Sequence, residues 1–452
     1  MSKSQTPHLH SSCKPTLANL WPIVVPLSGA MLSQAAVSLV DTALVGHLGG
    51  LALASVSIGS YLVFILVAII TGLGTGWHGL VSQYSSSREG LMGLGLVYGV
   101  FISIGLGALG ALVLDDVIDV FVLDDRINSL AAYYAQSRLW ALPAIVLSIA
   151  ARIYWSELGT PWQYTKIILL AHLANVPISY GLIYGIGGMP AMGAVGAGLG
   201  TSIALWLGVL LQLSLLFKNS SRFQAFTCQF SITNWLLLLR FTWPPMLQQL
   251  AFALHLALFL WILSQLGASI MAASFAVLNI GMLLILPAIG LGQAALSLMG
   301  SAMANKDFFS TLAWSKLIIA TGLVSALLLA VVVSILAPWF AQLLLVNREL
   351  QQLTATALPW YAMAMIFETW IIILSRFVLL MGRRKTGFIL VTGSQWLLFL
   401  PLLTWLAPTY GFMAVWWLHI VYRILTVSIL WCIWRRYIKR LSTDQTFSLN
   451  KE

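Results

Sequence analysis

An all-α polytopic membrane protein, with twelve transmembrane helices in two pseudo-symmetric six-helix lobes, is the fold class this sequence predicts. Three observations carry it. Of 452 residues, 60% are hydrophobic and only 8% are charged, against roughly 25% charged in soluble domains. A water-soluble globular protein is excluded, and the mean hydropathy of +0.93 agrees. Twelve apolar runs each reach the length of about 20 residues that a helix needs to cross a bilayer. The chain also matches itself at an offset of 218 residues.

Taken in order, runs bounded by Gly, Pro, Asn or charge place spans at 17–46, 51–83, 91–114, 129–156, 163–187, 192–217, 235–264, 269–303, 308–337, 352–381, 387–407 and 411–434. All are helices, because the bilayer core holds no water to satisfy the backbone and the runs exceed barrel-strand length. Lys3 and Lys14 precede the first run as they would in a signal peptide. The run from Leu17 to Gly46 is too long for one and shows no small-x-small cleavage pattern, so it is expected to be a retained span. The spans group as an N-lobe over 1–217, a cytoplasmic linker over 218–234, a C-lobe over 235–434 and a cytoplasmic tail over 435–452.

Orientation follows from where the basic residues fall. Arg88, Lys218, Arg222, Lys306, Arg383, Arg384, Lys385, Arg435, Arg436, Lys439 and Arg440 all lie after even-numbered spans. The opposite loops carry little more than Arg126 and Arg348, and the loop after the third span gathers Asp115, Asp116, Asp119, Asp124 and Asp125. Both termini are therefore expected in the cytoplasm. A net charge of +10 comes with no long polar stretch to gather it, so nucleic-acid binding is not indicated. Cys13, Cys228 and Cys432 lack CxxC spacing, and neither a disulfide framework nor a thiolate metal site is expected.

In the repeat, Pro26 meets Pro244, Leu48-Gly49 meets Leu266-Gly267, and Gly72-Leu73-Gly74 meets Gly290-Leu291-Gly292. Duplicated halves flanking a central site are a frequent transporter plan; duplication of a scaffold without such a role is the alternative. No GxxxxGK[ST], HExxH or GxSG pattern occurs. Nucleotide binding and the common hydrolase chemistries are thus unsupported, and the chain is not read as an enzyme.

Charge inside a span is the strongest residue-level signal, since insertion scales put its cost at about 2.5–3.5 kcal/mol. The carboxylates well inside spans are Asp41 and Glu368, and the cations are Arg138, Arg152, Arg376 and Arg423. Gln34, Ser38 and Asp41 follow helical spacing along one face, with Thr42 beside them, and Pro22 and Pro26 loosen the same helix. Such a carboxylate can bind and release a proton as its access to water changes, or it can be a structural group held by an Arg or backbone donors. His172, Asn175 and Ser179 form a matching row on the fifth span, fit to bond Asp41, water or substrate, or to make ordinary interhelical contacts. Glu368 precedes Arg376 by two turns, and an interhelical ion pair with Arg423 or Arg376 is expected. His78, His255 and His419 are read as structural.

Val40-Asp41-Thr42-Ala43-Leu44-Val45-Gly46-His47-Leu48-Gly49 resembles the first-helix signature of the MATE (multidrug and toxic compound extrusion) family, in its DinF-like branch. Arg138-Leu139-Trp140-Ala141-Leu142-Pro143-Ala144 resembles the fourth-helix pattern of that branch. The runs Gly72 to Gln83 and Gly292 to Asp307 are similar to the ends of its second and eighth helices, and Arg423 with Trp434-Arg435-Arg436 to its last. The likeness implies alternating access and export of small amphipathic or cationic organic compounds across a bacterial cell membrane, by a monomer with no nucleotide or other cofactor. In proton-linked members the first-helix Asp carries the coupling proton, which maps onto Asp41. Their fifth-helix N-x-x-x-D is here Asn175 and Ser179, so the second carboxylate is absent. Sodium-linked relatives pair an acid on helix 7 with one on helix 10. Helix 7 here has none, and Phe259 stands at the repeat equivalent of Asp41. H+ is the expected coupling ion and Na+ the alternative. A lipid-intermediate flippase would need more cavity cations than Arg138 and Arg152. An intramembrane acyltransferase built on His78, His172 or His419 ranks last.

Overall fold

A computed structural model describes residues 14–84, 88–121, 125–217, 231–345 and 347–449. Among the described residues, twelve helices are long and apolar enough to cross a membrane. Their bounds, from Leu17–Gly46 to Phe412–Arg440, follow the expected spans within a few residues at most ends. The chain is a multi-pass membrane protein. Leu112 is 79% exposed and Leu397 83%, an apolar surface that lipid covers at no cost and water would not.

In chain order the helices are α1 (Leu17–Gly46), α2 (Gly50–Gln83), α3 (Arg88–Phe121), α4 (Asp125–Leu139), α5 (Leu142–Glu157), α6 (Trp162–Tyr184), α7 (Ala194–Phe217), α8 (Ile232–Ser264), α9 (Ala268–Ala304), α10 (Phe308–Ile335), α11 (Ala337–Leu344), α12 (Arg348–Leu380), α13 (Arg384–Gly393), α14 (Leu400–Tyr410) and α15 (Phe412–Leu449). Two spans are interrupted, and proline marks each break. Pro143 at the start of α5 has no N–H for the carbonyl of Leu139, so the fourth span divides into α4 and α5. Pro401 likewise cannot donate to Leu397, and just before it Ser394–Phe399 widens into a π-helix. The described acids after the third span sit on helices and not in the expected loop. Asp115, Asp116 and Asp119 ride on the last turns of α3, and Asp125 opens α4. Asp124, Cys13, Cys228, Lys218 and Arg222 lie outside the described residues, while Cys432 is exposed.

The chain forms two compact units, and their boundaries fall inside helices. One is Gly29–Leu250; the other joins the start of α1, through Ser28, to the chain from Ala251 onward. Each unit therefore contains the first half of a helix that begins beyond the linker from it. Glycine contacts explain this. Within the first unit, a Cβ on Gly72 of α2 would land on the Pro245 carbonyl and the Met246 Cα of α8. Within the second, a Cβ on Gly290 of α9 would land on the Ser28 hydroxyl of α1. Gly72 and Gly290 are repeat equivalents, and so are the positions they meet, 28 and 246. The same helix crossing occurs twice, and only a bare backbone fits it. Gly49 and Gly267 share a role too: at φ 109° and 123° they turn the chain into α2 and α9, in a region that L side chains rarely enter.

Trp77, Leu80, Leu142, Ile153 and Phe241 centre the largest of three buried apolar clusters in the Gly29–Leu250 unit. The other unit has two cores. Leu20, Ile23 and Leu27 pack with Leu291, Phe377 and Trp434, and Phe259, Phe399, Trp416 and Tyr422 form the second.

Candidate functional site

Asp41 sits near the end of α1, where Val45, one turn on, is buried with Ile183, Ala194 and Ala197. That contact turns the carboxylate toward α6 and α7. Its Oδ2 accepts a hydrogen bond from the Thr201 hydroxyl at 3.0 Å. Asn175, 1% exposed, has its amide nitrogen 3.2 Å from Oδ1 when oriented to satisfy its neighbours. Ser179 is fully buried one turn further along α6, 3.5 Å from that amide. A Cβ on Gly200 would press on Ser179, so the glycine lets α7 bring Thr201 into reach. The positive charge of Arg138 acts on the carboxylate from the end of α4, but the two form no ion pair. Arg138 also holds a buried Nη1 with no hydrogen-bond partner among the described residues.

Thr201 has one hydroxyl proton and three acceptors, Asp41 Oδ2, the Ala197 carbonyl at 2.9 Å and, in the same amide orientation, the Asn175 side-chain oxygen at 3.3 Å. When the hydroxyl donates to Ala197, only a protonated Asp41 can complete the other contact, by donating to Thr201. When Asp41 is ionised, the hydroxyl turns to it. The protonation of Asp41 is thus tied to which way a hydroxyl on α7 points.

The other residues of the expected α1 stripe make no hydrogen bond to Asp41. Gln34, Ser38 and Thr42 are exposed, and Thr42 spends its hydroxyl on the Ser38 carbonyl at 2.7 Å. His172 shares a helix with Asn175 and Ser179 but not their neighbour: its Nδ1 pairs with the Ser33 hydroxyl at 2.7 Å. Thr201 was not among the expected residues. It lies in the run Gly198-Leu199-Gly200-Thr201-Ser202, which reads as a small-residue packing stretch and carries no mark of function.

Glu368 on α12 accepts from Arg423 Nε of α15 at 2.8 Å, the ion pair expected of it. Of the two candidate partners the structure selects Arg423; the stem of Arg376 packs over Gly292. His78, read as structural, has a buried acidic neighbour that the sequence did not point to. On α2 it pairs with Glu157 at the end of α5 at 3.2 Å, both side chains nearly fully buried. Glu157 was missed because the apolar run seemed to end one residue earlier. Among the described residues no cluster of His, Cys, Asp and Glu could hold a metal ion.

The family pattern described as MatE matches residues 26–181 and 244–405, one stretch in each half of the chain. A probable multidrug resistance protein, NorM of Pasteurella multocida, is 26% identical over 364 residues, 77% of each chain. A multidrug resistance protein, MdtK of Edwardsiella ictaluri, is 26% identical over 352 residues, covering 74% of this chain and 75% of its own. Among solved structures, the outward-facing conformation of a multidrug resistance MATE family transporter of the MOP superfamily superposes with a TM-score of 0.88 at 18% identity. It covers 95% of this chain and 97% of that one. A variant of the Vibrio cholerae MATE transporter VcmN gives 0.85, also at 18% identity, over 94% and 97%.

Proposed function

Since the chain belongs to the MatE family, we propose that it is a secondary active exporter of small amphipathic or cationic organic compounds, an H+-coupled antiporter working by alternating access with Asp41 as its proton carrier. The names of the relatives support multidrug efflux. One observation carries the proton reading: Asp41 is a half-buried carboxylate inside a span that meets neutral donors and no ion-pair partner among the described residues.

A proton arriving from outside neutralises Asp41, releases the Thr201 hydroxyl to the Ala197 carbonyl and weakens the hold of α7 on α1. An organic cation loses its counter-charge at the same moment and leaves. On the cytoplasmic side, where both termini lie, loss of the proton restores the carboxylate and its hydrogen bonds, and the next substrate is attracted. The chain's own residues perform these steps without nucleotide, and the protein works as a monomer.

The deciding assay is substrate-induced proton release from proteoliposomes. Wild type is expected to release protons on substrate addition and Asp41→Asn to release none; equal coupling in the two would remove Asp41 from the role. Substrate range is read in an efflux-deficient host, where expression is expected to raise tolerance to several unrelated amphipathic cations. Unchanged tolerance to every compound would overturn the efflux reading.

A further inference from the structure

Arg423 is 6% exposed and gives its Nε to Glu368 at 2.8 Å. Its guanidinium carbon stands 5.7 Å from the centre of the Tyr361 ring and 5.3 Å from that of Tyr422. One carboxylate and two aromatic faces are partners that a free monovalent cation would select, the first by charge and the others by the negative face of the ring. Further donor atoms border this cage. The Phe399 ring lies 4.7 Å from Tyr422 and 5.4 Å from His255, and Gln395 is one turn before Phe399 on the π-wound stretch. His255 Nδ1 and Gln395 Oε1 are both buried with no hydrogen-bond partner among the described residues. His419 completes the wall, with Nδ1 bonded to the Val415 carbonyl at 3.0 Å.

We propose that this cage is a monovalent-cation site filled from within, and that the Arg423 guanidinium is a tethered cation keeping Na+ and its like out of the C-terminal unit. The charge count explains the exclusion. Glu368 brings one negative charge, Arg423 cancels it, and the tyrosines and histidines of the wall add none when neutral. A second cation would stand as an uncompensated charge in a low-dielectric interior, an expensive state. Without Arg423 the cage presents a bare carboxylate and two ring faces, with the unpartnered His255 Nδ1 beside its Phe399 wall. The inference stands on this unit alone and holds whether or not Asp41 carries protons.

The test is thermal unfolding of the purified full-length protein in detergent, in NaCl, KCl or choline chloride at one ionic strength. Wild type is expected to unfold at the same midpoint in all three. In Arg423→Gln, NaCl is expected to raise the midpoint over choline by about 5 °C, saturably, as a specific ligand does. Glu368→Gln/Arg423→Gln, which lacks the bare carboxylate, is expected to be indifferent to the salt. Saturable sodium stabilisation of wild type that Glu368→Gln removes would overturn the proposal. So would an Arg423→Gln protein that is indifferent to the salt or recovered in none of them.

Discussion

Asp41 and Glu368 are both carboxylates inside membrane spans, one in each compact unit, and they are held by partners of different kinds. Asp41 meets a hydroxyl at 3.0 Å and an amide at 3.2 Å; Glu368 meets a guanidinium at 2.8 Å. Neutral donors support an ionised carboxylate without cancelling its charge, so a proton or an organic cation still has something to gain by arriving. A buried arginine cancels the charge, and a proton could bind only by leaving the arginine uncompensated. A carboxylate among neutral donors is free to exchange a proton and one paired by a guanidinium is locked, so the charge of the neighbour decides what either could do.

The largest expected effect breaks the lock. Glu368→Gln strands Arg423 in the interior and is expected to cost about 3–5 kcal/mol, read as a fall in the unfolding midpoint, with Glu368→Gln/Arg423→Gln recovering most of it. Asp41→Asn should cost about 1 kcal/mol or less, because shape and hydrogen bonding survive. Equal losses in the two single variants would erase the distinction between the sites. Next in size, Gly200→Val forces a branched side chain against Ser179 and is expected to cost about 1–3 kcal/mol, with transport lost even though Asp41 remains. Thr201→Val removes the single hydroxyl bonded to Asp41. A loss of about 1 kcal/mol in stability and about tenfold in transport rate is expected, with Thr201→Ser close to wild type; a fully active Thr201→Val would show that the hydroxyl plays no part.

The smallest effect sharpens the comparison with a carboxylate outside the membrane. Asp307 caps α10, accepting from the Ser310 N–H at 2.9 Å. The Ser310 hydroxyl, and then its backbone N–H, hold this carboxyl below the usual range. A lowered value means the cap stabilises fully above the ordinary carboxylate value of about 4 and fades as the pH falls through the lowered one. Asp307→Ala is expected to cost about 0.5–1 kcal/mol at pH 7 and to unfold together with wild type once the pH lies below that lowered value. A gap that persists at low pH would mean the cap does not act through charge.

Much of the architecture was legible because membrane insertion is a local constraint: a run is long and apolar, or it is not. The spans and the paired Leu-Gly turns could be read this way, whereas the breaks at Pro143 and Pro401 could not. Asp41 stood out for the same reason, as a costly residue in an apolar run. The neighbours of Asp41 could not be read. Helical spacing put Gln34 and Ser38 on its face, where both are exposed, while Asp41 and Val45 meet α6 and α7 nearer the end of the helix. Thr201 lies 160 residues away in a stretch of small residues, and nothing local distinguishes its hydroxyl from a packing contact. Glu157 was hidden by its place at the edge of an apolar run, where an acid ordinarily faces water.

By itself the sequence determined that this chain crosses a membrane twelve times, that its halves are duplicates, and that it belongs with the MatE proteins, since hydropathy, repeat and motif are properties of the chain. Tertiary structure alone decided that Glu368 is paired by Arg423 and not Arg376, that His78 meets Glu157, and that Asp41 keeps neutral company. Those outcomes depend on which helix faces bury against one another. That is settled by close packing at bare glycines such as Gly72, Gly200 and Gly290, whose contacts lie far away along the chain.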